Sequence, residues 1–235
     1  MALGALSGPR LPPRHGKATH LVVLCHGYGA DGNDLIELAP HWQRVLPGAA
    51  FVAPDAPESC PGAGRQWFPI SRLDPHEMHK GVVGAAGALE TFLKAELARL
   101  ALSPDRLALV GFSQGTMMAL HVGLGGALRP AAIVGFSGLL TAALPQMDGA
   151  VPVLLAHGDA DAIIPPEALF FTAAALGAAG LGVQWHLSPG LGHGIDASEI
   201  EIAGHFLSLA FDGRLKLSGE ACCVLSVANP SQQIA

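Results

Sequence analysis

The chain has 235 residues, 50% of them apolar and only 14% charged, with a formal net charge of −6. This length suits one α/β domain; glycine and proline, about a fifth of the residues, stay below the share that marks low-complexity chains, and the apolar content excludes a disordered one. Four cysteines, not spaced as zinc pairs, exclude a disulfide scaffold, and the acidic balance without a basic run excludes a nucleic-acid partner.

Residues 107–128 carry no Asp, Glu, Lys or Arg and are long enough to cross a bilayer, at roughly 20 residues. Gly111 and Gly115 bracket a turn inside this stretch, and Ser113, Gln114 and His121 interrupt it, so no stable membrane insertion is expected. The first residues lack a basic region followed by an apolar one. The protein is read as cytoplasmic.

In chain order, residues 1–18 read as a lead-in, 19–212 as one domain and 213–235 as a tail that is disordered or extraneous to it. A continuous apolar run at 21–25 suits a strand buried on both faces of a parallel sheet. One helix is expected from Asn33 or Asp34 to about Val45, then a strand over 49–53. Residues 54–80 hold five prolines with Trp67 and Phe68, and read as an irregular binding loop. Helix, strand, helix and strand follow over 81–102, 107–111, 114–123 and 131–136. A strand at 151–156, a helix at 166–179, a strand at 183–187 and a closing helix at 197–211 complete the pattern. Alternation of this kind gives a mostly parallel central sheet with helices on both faces.

Two motifs compete for the site. Gly27-Tyr28-Gly29-Ala30-Asp31-Gly32 fits a dinucleotide fingerprint after a strand, with Asp55 at the spacing of a ribose-binding acid. Against it, Asp31 puts a negative charge where the pyrophosphate would sit. Gly111-Phe112-Ser113-Gln114-Gly115 is a G-x-S-x-G pentapeptide, which chance alone supplies in about one chain in five of this composition. Its setting raises it, because strand runs into it and helix leaves it, the elbow that strains a serine and exposes its hydroxyl. Gly135-Phe136-Ser137-Gly138 also follows a strand, but Leu139 stands where the final glycine belongs.

A serine hydroxyl needs a base to take its proton and a third group to hold that base. His157-Gly158-Asp159-Ala160-Asp161 follows a strand and offers two carboxylates at the sheet edge; the residues alone divide the role evenly between Asp159 and Asp161. His193, between glycines before the last helix, can reach back to Ser113. Two preorganised donors are needed for the substrate oxygen, one after the nucleophile and one from an early loop. These are the Gln114 and Tyr28 amides, an assignment that also accounts for the glycine-rich loop. His26 and His157 are read as hydrogen-bonded ties between loops. His76-Glu77-Met78-His79 lacks the i, i+4 histidines of a zinc helix and reads as a solvated loop.

With these four segments in order, the chain resembles the small bacterial carboxylesterases of the phospholipase/carboxylesterase family, related to acyl-protein thioesterases and lysophospholipases. The resemblance runs from about Leu21 to Phe211. It implies an α/β-hydrolase fold without a large cap, no cofactor and no metal, and Asp161 as the triad acid. Arg65-Gln66-Trp67-Phe68 is similar to a Trp-Phe segment near the family's pocket, so Trp67 and Phe68 are expected against substrate, with a plain core role the equal alternative; Ile163 is a further candidate for substrate contact. The implied partner is a small-molecule ester, and the chain is compatible with a homodimer. Thioesterase or lysophospholipase activity is the alternative, and a silent ligand-binding or dinucleotide-binding protein the remote one. Residues 214–235 have no counterpart; Cys222-Cys223-Val224-Leu225-Ser226 is similar to a prenylation box but is not terminal.

Overall fold

The computed structural model of the protein describes residues 6–62, 64–70, 74–125, 128–147 and 151–215, together with the backbone of 222–223. An edge strand, β1 (Arg10–Leu11), lies within the segment read as lead-in, and β2 (His20–Cys25) follows. The single helix expected next is two short ones, α1 (Gly32–Ile36) and α2 (Ala39–Trp42). Pro40 is the reason, since it lacks the N–H that a helix interior requires and is at home only in a first turn.

Strand β3 (Ala49–Val52) leads into the stretch expected to be irregular throughout. It holds a short hairpin, β4 (Glu58–Ser59) with β5 (Arg65–Gln66), and its last residues already belong to α3 (Pro75–Leu100). Asp74 caps that helix by accepting the Glu77 N–H, and Pro75 occupies its first turn, the position where proline costs nothing. His76 and His79 therefore lie on a helix, not in a loop.

The remainder alternates as expected. Strand β6 (Leu107–Phe112) passes into α4 (Gln114–Gly125), then come β7 (Ala132–Phe136), β8 (Val153–Gly158), α5 (Glu167–Ala178), β9 (Val183–Ser188) and α6 (Ala197–Phe211). Cys222–Cys223 form β10, parallel to β9, so the segment read as a tail contributes backbone to the sheet.

The sheet order is β1-β3-β2-β6-β7-β8-β9-β10, parallel except for β1. Because side chains alternate along a strand, β2 divides its burial between two cores. Leu21, Val23 and Cys25 join α3, α4 and α5 on one face, while Val22 and Leu24 join α1, α2 and α6 on the other. Both faces are covered, as a parallel sheet requires. Chain direction reverses at β2: the connection to β3 runs one way and the later connection to β6 returns on the other side. A crevice opens at such a switch point, outside the carboxyl ends of β2 and β6. Those ends are His26-Gly27 and Phe112-Ser113.

Candidate active site

Ser113 follows β6 with φ at +54°, in the left-handed region, where a non-glycine residue costs of order 1–3 kcal/mol. Neighbouring backbone enforces it. The Ser113 N–H donates to Phe136 O at 2.9 Å, continuing the β6–β7 ladder, while Ser113 O accepts from the Thr116 and Met117 N–H groups as the first turn of α4. Gly115 permits the crossing, since a Cβ there would lie 1.8 Å from Cys25 O. A Cβ on Gly27 would come within 3.3 Å of Ser113 Cβ, which places the early glycine-rich loop directly against the serine turn. The Ser113 side chain retains a little exposure, 9% for the residue.

Asp161 is buried, and His193 lies on it with Nδ1 2.7 Å from Oδ2. The other carboxylate oxygen, Oδ1, accepts the Ile163 and Ile164 N–H groups at 2.8 and 2.9 Å. Burial alone would raise this carboxyl; the hydrogen bonds from His193 and then from the two amides outweigh it and hold the group below the ordinary carboxylate range. The acid is therefore ionised and fixed in orientation. His193 presents its ring to Phe112, centroids 4.9 Å apart, immediately before Ser113. Asp159 is not near this histidine: its Oδ1 accepts the Gly190 N–H at 2.6 Å and ties the β8 and β9 loops together. The structure thus separates two carboxylates that spacing alone left equal.

His26 and His157 act as ties. His26 Nε2 accepts the Ala56 N–H at 3.0 Å, so Nδ1 carries the proton and donates to Gly27 O at 2.7 Å. Burial holds the His26 ring below its ordinary pKa, consistent with that neutral tautomer. His157 Nε2 donates to Ile164 O at 2.9 Å and lies 3.2 Å from Asp161 Oδ2, closing the acid's pocket from below.

The glycine-rich loop spends its amides internally. Gly29 N–H donates to Arg65 O, Asp31 N–H to Asp34, Gly32 N–H to Asp55 and Asn33 N–H to Asp31. Asp55, the candidate ribose acid, thus serves as an internal cap, and these amides are not available to a pyrophosphate. Tyr28 is 43% exposed at the loop's tip; a hydrogen bond with Cys60 is the first cause that raises its phenol pKa.

Trp67 and Phe68, expected against substrate, are 1% and 3% exposed and belong to the core. They floor a cleft of about 480 Å³ between the β4–β5 hairpin and α3, lined by none of Ser113, Asp161 and His193. Trp67 also anchors backbone, its Nε1–H donating to His26 O at 2.9 Å. Ile163 is 56% exposed beside the acid, where it can meet a substrate. A separate apolar groove of about 350 Å³ runs between the α3 N-terminus and α5, lined by Met78, Leu139, Leu140, Phe171 and neighbours.

Three supporting residues were not read from the sequence. Phe112 packs on the His193 ring; buried Ser137 donates to Gly194 O at 3.4 Å; and Glu199 is fully buried at the start of α6. Burial pushes the Glu199 carboxyl up to about 8, with Asp196 adding to the shift. Asp196 and Glu199 form a capping box, a pattern that Asp-x-x-Glu spells in the sequence. Among the described residues no group of three or more His, Cys, Asp or Glu could hold a metal ion, and no helix is long and apolar enough to cross a membrane.

The chain is similar to known esterases and thioesterases. The family model described as Phospholipase/Carboxylesterase matches residues 9–211. Acyl-protein thioesterase 1 of Neurospora crassa is 26% identical over 234 residues, 88% of this chain and 94% of its own. Acyl-protein thioesterase 1 of Schizosaccharomyces pombe is 32% identical over 161 residues, covering 63% of this chain and 70% of that protein. Among solved structures, esterase PE8 superposes with a TM-score of 0.82 at 40% identity, over 87% of this chain and 98% of that one. The carboxylesterase from Mesorhizobium loti shares the fold at a TM-score of 0.74 and 22% identity, over 88% and 97%.

Proposed function

The chain belongs to the phospholipase/carboxylesterase family, and from that premise we propose that it is a serine carboxylesterase hydrolysing small, short-chain carboxylic esters through an acyl-enzyme. The observation that carries the reading is the buried Asp161 carboxylate 2.7 Å from His193 Nδ1, at the sheet edge where Ser113 follows β6. In the proposed cycle Ser113 Oγ attacks the ester carbonyl while His193 Nε2 takes its proton, Nδ1–H remaining on Asp161. The Tyr28 and Gln114 main-chain amides hold the oxyanion. The tetrahedral intermediate collapses, His193 returns the proton to the leaving alcohol, and the acyl group stays on Ser113. Water, deprotonated by His193, then attacks the acyl-enzyme, and the carboxylic acid departs as the serine recovers its proton.

A second reading, thioesterase action on longer acyl groups, is favoured by the names of the curated relatives and by the apolar groove beside α5. Oxygen and sulfur esters use the same machinery, so an acyl-chain-length series on matched oxygen and thiol esters decides between them. The carboxylesterase reading expects kcat/KM to peak at acetyl to butyryl oxygen esters; a maximum at long-chain thioesters would replace it with the second. Covalent labelling of Ser113 by a fluorophosphonate is expected in either case, and its absence would remove both.

A further inference from the structure

The side chain of Gln114 has a place that nucleophilic catalysis by itself does not require. It is fully buried. Its Oε1 accepts the Trp67 N–H at 2.8 Å and its Nε2 donates to Phe68 O at 2.7 Å, so one carboxamide holds the backbone of two consecutive residues. The segment it grips holds the early loop on both sides of Tyr28. Upstream, Trp67 Nε1–H donates to His26 O at 2.9 Å, and Arg65 Nε–H donates at 2.8 Å to the carbonyl of Ala56, whose own N–H meets His26 Nε2 at 3.0 Å. Downstream, Arg65 O accepts the Gly29 N–H at 2.9 Å and the Arg65 N–H donates to Ala30 O at 2.8 Å.

We propose that the Gln114 carboxamide is a positioning residue: it clamps the Arg65–Phe68 backbone to the nucleophile elbow, and so sets the spacing between the Tyr28 and Gln114 main-chain amides. The inference rests on the esterase reading, in which those two amides share one oxyanion. Both amides move only with backbone, and backbone is what the clamp joins. A carboxamide suits the task because it accepts and donates at once. An ionised carboxylate can only accept, and an apolar chain leaves a buried N–H and C=O unpaired.

The test compares Gln114→Met and Gln114→Glu with the parent protein, reading kcat and KM on an aryl butyrate and the affinity of an alkyl trifluoromethyl ketone, whose serine adduct places an oxyanion in the hole. Gln114→Met keeps the main-chain amide and close to the side-chain shape. It is expected to lose about 10- to 100-fold in kcat, with KM within about threefold and ketone affinity falling in parallel with kcat. Gln114→Glu regains the donor when protonated, which burial favours. The ratio of its kcat/KM to that of the parent should therefore rise as pH is lowered from about 8 to about 6. Unchanged kcat and ketone affinity in Gln114→Met would overturn the proposal. So would a lowered melting temperature with ketone affinity intact, because that is loss of packing without loss of the hole. Should Gln114→Met not fold, the Gln114→Glu ratio carries the test, and a flat ratio overturns the proposal. Failure of the esterase reading is distinguishable, since it appears as unlabelled Ser113 in the parent protein.

Discussion

Two adjacent strands end in nearly the same way and only one of them leads straight into a helix. Phe112 of β6 is in register with Phe136 of β7; each is followed by a serine in the left-handed region, φ +54° at Ser113 and +43° at Ser137. Each serine donates its N–H at 2.9 Å to the next strand, Ser113 to Phe136 O and Ser137 to Ala156 O. The difference begins two residues on. Gly115 lets α4 start against the carbonyls of Cys25 and His26, at the switch point of the sheet. After Ser137 the chain carries Gly138-Leu139, forms no helix, and is tied to α5 by the Leu140 N–H on Thr172 Oγ1. Ser137 lies fully buried under the loop that carries His193. A strained serine turn is thus a structural device, and it becomes a candidate nucleophile only where topology opens a crevice beside it.

The sharpest way to break this comparison is to truncate both serines. Ser113→Ala is expected to remove turnover of an aryl butyrate by about 10⁴-fold or more with the far-UV spectrum unchanged, whereas Ser137→Ala should keep activity within about tenfold. Equal losses would mean that the two turns are functionally alike. The next effect concerns the acid. Asp161→Asn should cost about 10³- to 10⁴-fold in kcat, because the His193 tautomer is no longer fixed, and Asp159→Asn no more than a few-fold; kinetics on the two purified variants would exchange their roles if the order were reversed.

Stability separates the turns as well. Gly115→Ala drives a Cβ onto Cys25 O at 1.8 Å, backbone against backbone, while Gly138→Ala meets the Thr116 side chain at 2.3 Å with Ser113 O at 2.9 Å. Unfolding free energies should fall in both, most for Gly115→Ala, by about 3 kcal/mol or more; Gly138→Ala should also be destabilising, because Thr116 Cβ can give way only by shifting the first turn of α4. The smallest effect lies behind the His193 loop. Glu199 is raised from 4.5 to about 8 by burial, so between those values the folded protein holds a proton that the unfolded chain has released. Stability is retained below that window and declines as pH rises through it. Glu199→Gln should flatten the decline; parallel melting curves for parent and variant across the window would count against a protonated Glu199.

Much of this was legible before any coordinates. The run Leu21 to Cys25 reads as a doubly buried strand because apolar residues occupy both of its faces, and the structure divides them between two cores. The serine elbow is legible because Gly111 and Gly115 flank Ser113 where strand gives way to helix. Pro40 and the Asp74-Pro75 pair carried local signals strong enough to split one helix and to start another early; the first was overlooked within an apolar helical pattern and the second within a proline-rich stretch read as loop. Trp67 and Phe68 show a different limit: a large aromatic in a loop looks the same in sequence whether it faces a ligand or packs in the core, where the structure puts both.

The sequence by itself determined the alternation of strands and helices, the serine turn, and the chain order of serine, carboxylates and histidine, because each depends on neighbours within a few residues. Spacing left the two carboxylates equal and only the family resemblance pointed to Asp161; tertiary structure decided which of them meets His193, which of two strained serines opens on a crevice, and what Trp67 and Gln114 hold. Those outcomes depend on contacts such as Gln114 with Trp67 and His193 with Asp161, 47 and 32 residues apart. No local pattern encodes such a meeting; it follows from the order of strands in the sheet.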